Sequence, residues 1–135
     1  VIAMAILHNL PNFLLYFATA LGLFSLFISL YLHLTPYAEL RLIRQGNLAA
    51  AVALLGAVLG FALPLASSIA HSVSVQDMLI WGFIALLVQA LVYGVAARLL
   101  PELKQGIAEG ELAHGVFLGG LALSVGLINA ACMVY

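Results

Sequence analysis

Charge is what this sequence has least of. Only 7% of its 135 residues are charged and 66% are hydrophobic, whereas soluble domains carry about a quarter charged residues. The mean hydropathy is +1.24, and a water-soluble domain is excluded. A net charge of -1 offers no cluster of Lys and Arg to displace counterions, so nucleic acid is not a partner. The single cysteine, Cys132, excludes an intramolecular disulfide and a cysteine metal site. Lying inside the last apolar run, it reads as a buried small residue.

Catalytic furniture is also missing. The chain holds no Gly-x-Ser-x-Gly, no phosphate loop and no paired catalytic carboxylates. No Asp, Glu or Lys stands inside an apolar run, which removes the usual anchor of a proton relay. His8, His33, His71 and His114 lie near the ends of those runs without metal-ligand spacing and read as structural. The expectation is a protein that is not an enzyme and needs no cofactor.

What is abundant is apolar sequence in lengths that cross a bilayer as helix, roughly 20 residues each. The runs read as Phe13 to Leu34, Leu48 to Ile69, Met78 to Arg98 and Leu112 to Val134. The first is too long for a signal-peptide core and lacks a small-residue cleavage site, so it should remain in the mature protein. Thr35-Pro36 and Leu100-Pro101 stop the first and third runs. Gly46-Asn47 and Gly110-Glu111 introduce the second and fourth, with Asn47 as a helix cap. The fold class is an all-α membrane protein of four transmembrane helices, with short interfacial segments joining the members of each pair.

All the Lys and Arg residues, Arg41, Arg44, Arg98 and Lys104, fall in or beside the first and third connections. The positive-inside rule assigns those connections to the cytoplasm and both termini to the periplasm. Tyr16, Tyr31, Trp81 and Tyr135 near run ends fit interfacial anchoring. In the connections, Leu40 with Ile43 and Leu103 with Ile107 stand at helical spacing, as short helices lying on a membrane surface would have them. A solvated loop accounts equally well for the first connection.

The chain also repeats. Shifted by about 64 residues, Gly46-Asn47-Leu48-Ala49 aligns with Gly110-Glu111-Leu112-Ala113, and Gly56 with Gly120. The reading is an outward N-terminal tail over 1–12, a two-helix repeat over 13–70, an outward loop over 71–76 and a second repeat over 77–135. Units of two spans share one orientation, so the repeats should be parallel.

The residues Thr35-Pro36, the stretch from Ile43 to Ala51 and the run from Gly60 to Ser67 make the chain similar to the YjfL-like family of small bacterial inner-membrane proteins. That family is a domain of unknown function occurring as a tandem repeat. The resemblance implies the bacterial inner membrane, four spans and duplication, and it brings no catalytic residue.

Within the runs, small and polar residues gather on particular faces. In the first, Ala18, Gly22, Ser25 and Ser29 lie opposite Phe13, Phe17, Phe24, Phe27 and Tyr31, and the small side should face protein. The second carries Ala49, Ala53, Gly56, Gly60 and Ser67, with Pro64 beside them as a structural kink or a hinge. Gln89 and Tyr93 of the third run align with Ser25 and Ser29 at the repeat offset. The fourth has small residues on two sides, Ala113, Gly120 and Ser124 on one, and Gly115, Gly119, Ala122, Gly126 and Asn129 on the other. The second of these stripes is expected to contact another subunit, or else to pack inside one bundle.

Two functions fit. One is a homo-oligomeric structural or accessory component of the inner membrane, meeting lipid, copies of itself or another membrane protein. The other is a channel or carrier for small solutes or ions, with Ser25, Ser29, Gln89, Tyr93 and Asn129 along a polar path between helices or subunits.

Overall fold

The structure, a computed structural model, describes residues 1–133. It contains α1 (Ile2–Leu34), α2 (Glu39–Arg44), α3 (Leu48–His71), α4 (Val75–Leu99), α5 (Leu103–Ala108) and α6 (Leu112–Cys132). Among the described residues α1, α3, α4 and α6 are long and apolar enough to cross a membrane, as the composition requires. Val134 and Tyr135, read as a span end and an interfacial anchor, lie outside the described residues.

Helix α1 runs further than expected. The segment read as a tail over 1–12 is helical from Ile2 onward, because Ile2 to Leu10 continue the apolar sequence and hold no breaker. Pro11 lies within the helix and deprives the Leu7 carbonyl of its helical donor. At 33 residues, α1 is about 50 Å long, against about 30 Å of hydrocarbon. Residues 1–15 are exposed throughout.

The packing is organised around α3 and α6, whose backbones touch along their length. Ala49 meets Gly115 near the N-terminal ends, Gly56 meets Gly119 further along, and Gly60 meets Gly126 beyond that. The contacts advance in the same direction on both helices, so α3 and α6 run parallel. Added methyl groups at these glycines would collide with main chain; one on Gly119 would stand 2.6 Å from the Val52 carbonyl oxygen. Near the far end Ser67 donates to the Ala130 carbonyl at 3.0 Å. In lipid, where apolar burial gains little, such close backbone contact is a main source of helix association.

Helix α1 joins the bundle differently. Its inward face is Ala20, Leu23, Phe27 and Tyr31, and Phe27 stacks on Phe61 of α3 with ring centroids 4.5 Å apart. Leu23 reaches over to Gly82 of α4. The small face of Ala18, Gly22, Ser25 and Ser29, expected to face protein, is exposed. The reason is distance: the backbone-to-backbone position beside α3 is taken by α6, and α1 stands off far enough that long side chains must span the gap.

The two short connections share one hydrogen-bonded form. The Asn47 amide donates to the Leu42 carbonyl at 2.9 Å, and the Glu111 amide to the Gly106 carbonyl at 2.9 Å. Gly46 bonds to Ile43 at 3.0 Å and Gly110 to Ile107 at 3.1 Å, each second bond lying 64 residues after the first. Gly46 and Gly110 take φ of 84° and 80°, the left-handed region that favours glycine at a helix exit. Asn47 then caps α3 by accepting from the Ala50 amide at 3.0 Å, and donates to the Ile107 carbonyl at 2.8 Å, tying α5 to α3.

The two connections differ in what they bury. Leu103 and Ile107 of α5 are buried in the bundle. In α2 the pattern is inverted: Leu40 is exposed and Glu39 is buried. Cys132, read as buried, is exposed, because the buried side of α6 follows the Gly115–Gly126 stripe that faces α3.

Candidate functional site

Two polar arrangements stand out in a largely apolar interior. The first is at mid-bundle. Pro64 has no N–H, so the carbonyl of Gly60, one turn earlier, lacks its helical donor. The side-chain amide of Gln89 on α4 supplies one, donating to the Gly60 carbonyl at 3.1 Å and to the Ala122 carbonyl of α6 at 3.1 Å. Gln89 is 1% exposed. It therefore bridges α3 and α6 from the third side, and its nitrogen would lie 2.9 Å from a methyl group placed on Gly60. Three features separated in sequence, Gly60, Pro64 and Gln89, make one joint.

The second arrangement lies where α1 gives way to α2. Glu39 is 2% exposed, and Thr35, Tyr31, Tyr37 and Tyr93 around it are buried too. The Thr35 hydroxyl donates to Glu39 Oε1 at 2.6 Å. Glu39 Oε2 and the hydroxyls of Tyr31 and Tyr37 are buried with no hydrogen-bond partner, where buried polar atoms are nearly always paired. Tyr31 packs edge-on to Tyr93 with centroids 6.3 Å apart and tilts against Phe27 at 5.7 Å. Burial pushes the Glu39 carboxyl above the ordinary carboxylate range, and the Thr35 hydrogen bond acts the other way. Burial likewise raises the Tyr37 hydroxyl, followed by the charges of Tyr31, Tyr93 and Glu39. Arg41 and Arg44 on the same short helix are exposed, and among the described residues Glu39 makes no ion pair.

The residues singled out in sequence divide between these arrangements and the surface. Gly56, Gly60, Gly115, Gly119 and Gly126 lie in the α3–α6 seam. The stripe from Gly115 to Gly126, expected to meet another subunit, thus meets α3 of the same chain. The other small side of α6 is open: nothing stands within 4 Å of a methyl group on Gly120, and Ser124 is exposed.

Of the five residues read as a polar path, Gln89 and Tyr93 are buried, Asn129 is partly buried with its amide nitrogen unpaired, and Ser25 and Ser29 are exposed. They do not line one path within the chain. The pairing of Gln89 with Ser25 and of Tyr93 with Ser29 fails because the buried faces of α1 and α4 coincide one residue further on. Ala20, Phe27 and Tyr31 correspond to Ala85, Val92 and Ala96, all buried. One residue turns a helix by 100°. Arg41, Arg44, Arg98 and Lys104 are exposed.

Glu39 escaped the sequence reading because it sits in a connection among charged residues, where a carboxylate reads as solvated. The signal available was the alternation of Thr35, Tyr37 and Glu39, buried in turn with Pro36, Ala38 and Leu40 exposed between them.

These features define a polytopic helical membrane protein with a glycine-closed interior and a buried carboxylate at one end. Residues 4–133 match the model of the Domain of Unknown Function DUF350, and the chain belongs to that family. It is 38% identical over 132 residues to the UPF0719 inner membrane protein YjfL of Escherichia coli (strain K12), covering 98% of this chain and 100% of the relative. The protein of the same name from Escherichia coli O157:H7 matches equally. No solved structure matches this chain.

Proposed function

We propose that this chain is a homo-oligomeric structural or accessory component of the bacterial inner membrane, acting by packing with copies of itself and not by a catalysed reaction. The observation that carries this reading is the outward small-residue face of α1. Ala18, Gly22, Ser25 and Ser29 are exposed, and nothing stands within 4 Å of a methyl group on Gly22. In lipid, a face of small residues and hydroxyls gains most from another helix brought close. The same helix carries residues 1–15 exposed, so a second copy of α1 has a continuous surface to follow.

Inner-membrane placement is supported by the relatives, which bear that description in their names. Exposed Arg41, Arg44, Arg98 and Lys104 support a cytoplasmic position for the connections, next to anionic lipid, and hence periplasmic termini. The matching hydrogen bonds of the two connections support an origin by duplication of a two-helix unit, and parallel α3 and α6 are what parallel repeats produce. The test is the mass of the particle in lipid nanodiscs. Gly22→Leu should lower the oligomer mass while Leu55→Ala, on an exposed face of α3, leaves it alone. Equal mass in wild type and Gly22→Leu argues against this interface.

A second reading, a channel or carrier between copies, is favoured by Ser25 and Ser29 on that outward face. Such a lumen would lie between α1 helices. Liposomes should then show protein-dependent flux of ions or small solutes that Ser25→Leu reduces, and no flux for cations, anions or neutral osmolytes would remove this reading.

A further inference from the structure

Glu39, Tyr31 and Tyr37 have a role that packing does not explain. Phenylalanine would fill the space of either tyrosine without burying an unpaired hydroxyl, and glutamine would keep the Thr35 contact without a charge. Yet three oxygens, Glu39 Oε2 and the two hydroxyls, are buried and unpartnered. The groups are gathered at one junction: the Thr35 hydroxyl lies 3.3 Å from the Tyr31 carbonyl and 2.6 Å from Glu39 Oε1, and Tyr37 is buried between them in sequence.

We propose that Glu39 Oε2 and the hydroxyl oxygens of Tyr31 and Tyr37 form a binding site for an alkali-metal cation where α1 meets α2. The ligand chemistry selects the class. All three atoms are hard oxygens, which suit alkali and alkaline-earth ions over transition metals. One carboxylate supplies one negative charge, which a monovalent ion neutralises; a divalent ion would leave a buried positive charge with no partner.

The site is held ready. Thr35 fixes Oε1 at 2.6 Å and leaves Oε2 to face the ion. The rings of Phe61, Phe27, Tyr31 and Tyr93 pack in succession, which sets the direction of the Tyr31 hydroxyl. The inference stands whether the chain assembles or conducts, since it concerns binding within one copy.

The experiment uses the full chain in nanodiscs in N-methylglucamine buffer, titrated with sodium, potassium or choline chloride at constant ionic strength. Thermal unfolding and isothermal calorimetry are read together. Sodium or potassium should raise the unfolding temperature saturably and give a binding isotherm, with no such effect of choline, as expected for a ligand bound only by the folded state. Tyr37→Phe, which removes one oxygen and keeps the ring, should weaken the ion on the order of 10-fold, and Glu39→Gln should abolish its effect. Equal responses to choline and to the alkali ions overturn the proposal. So does a wild-type protein whose stability follows pH alone, with a proton as the only cation bound, or an alkali response retained in Glu39→Gln. Should Glu39→Gln fail to fold, Tyr37→Phe and the wild-type comparison with choline decide.

Discussion

The amide of Gln89 donates to the carbonyl of Gly60 at 3.1 Å, and that carbonyl is the one Pro64 deprives of its helical donor. A proline in α3 is therefore repaired from α4. The consequence is a coupling between two residues on different helices that can be measured.

Gln89→Leu removes both hydrogen bonds of the side chain and leaves the Gly60 carbonyl unpaired, which should cost roughly 1–2 kcal/mol. Pro64→Ala restores an N–H that can bond to Gly60 within α3. In that background the Gln89→Leu penalty should shrink. A double-mutant cycle from unfolding in mixed micelles reads the difference, and additive effects would show that the repair carries no energy.

The glycines sort by what surrounds them. Gly119→Ala and Gly126→Ala place a methyl group against α3 main chain and should each destabilise by about 2 kcal/mol or more, because neither backbone can yield without opening the seam. Gly94→Ala, with nothing within 4 Å, should be neutral or slightly stabilising through helix propensity. Melting temperatures in one detergent decide between these outcomes, and equal losses at all three positions would contradict the seam.

Glu39 gives a pH dependence whose sign follows from its raised pKa. The folded chain holds this proton to higher pH than the unfolded chain does. Between the ordinary carboxylate pKa and the raised one, the folded state binds more protons and stability falls as pH rises, by up to about 1.4 kcal/mol per pH unit. Below that window the contribution is fully present; above it the loss is complete. The groups around Glu39 are Thr35, Tyr31, Tyr37 and Tyr93, with Arg41 and Arg44 exposed on its own helix. Unfolding in alkali-free buffer should show this slope, and Glu39→Gln should flatten it.

Asn47 caps α3 and reaches across to α5. Asn47→Ala should cost about 1–2 kcal/mol, the upper part of the range for a lost cap because the Ile107 contact goes with it. Hydrogen exchange at the Ala50 amide should quicken, and the amides of α5 should follow. Protection unchanged in α5 would mean that the Ile107 contact carries no load.

Hydropathy and breakers made the four long helices legible, since bilayer thickness sets their length and Pro and Gly their ends. The glycines of α3 and α6 were legible as packing residues, but not their partners: a helical wheel reports which side is small, and the competition between α1 and α6 for the same side of α3 is a property of the assembled bundle. That competition turned Ser25 and Ser29 outward. Glu39 was hidden for a related reason. Its burial depends on Tyr31 and Tyr93 from two separate helices, and no local pattern of charge announces it.

Backbone meets backbone where α3 packs on α6, and this bears on how the protein is made. Until α6 has left the ribosome and entered the bilayer, Gly56 and Gly60 face lipid or transient neighbours, and Gln89 has only one of its two carbonyl partners. The interior is thus shut by α6, the latest of these four long helices along the chain. A chain interrupted before Leu112 would lack the surface against which α3 is packed, and Gly56 and Gly60 would stand in an open groove.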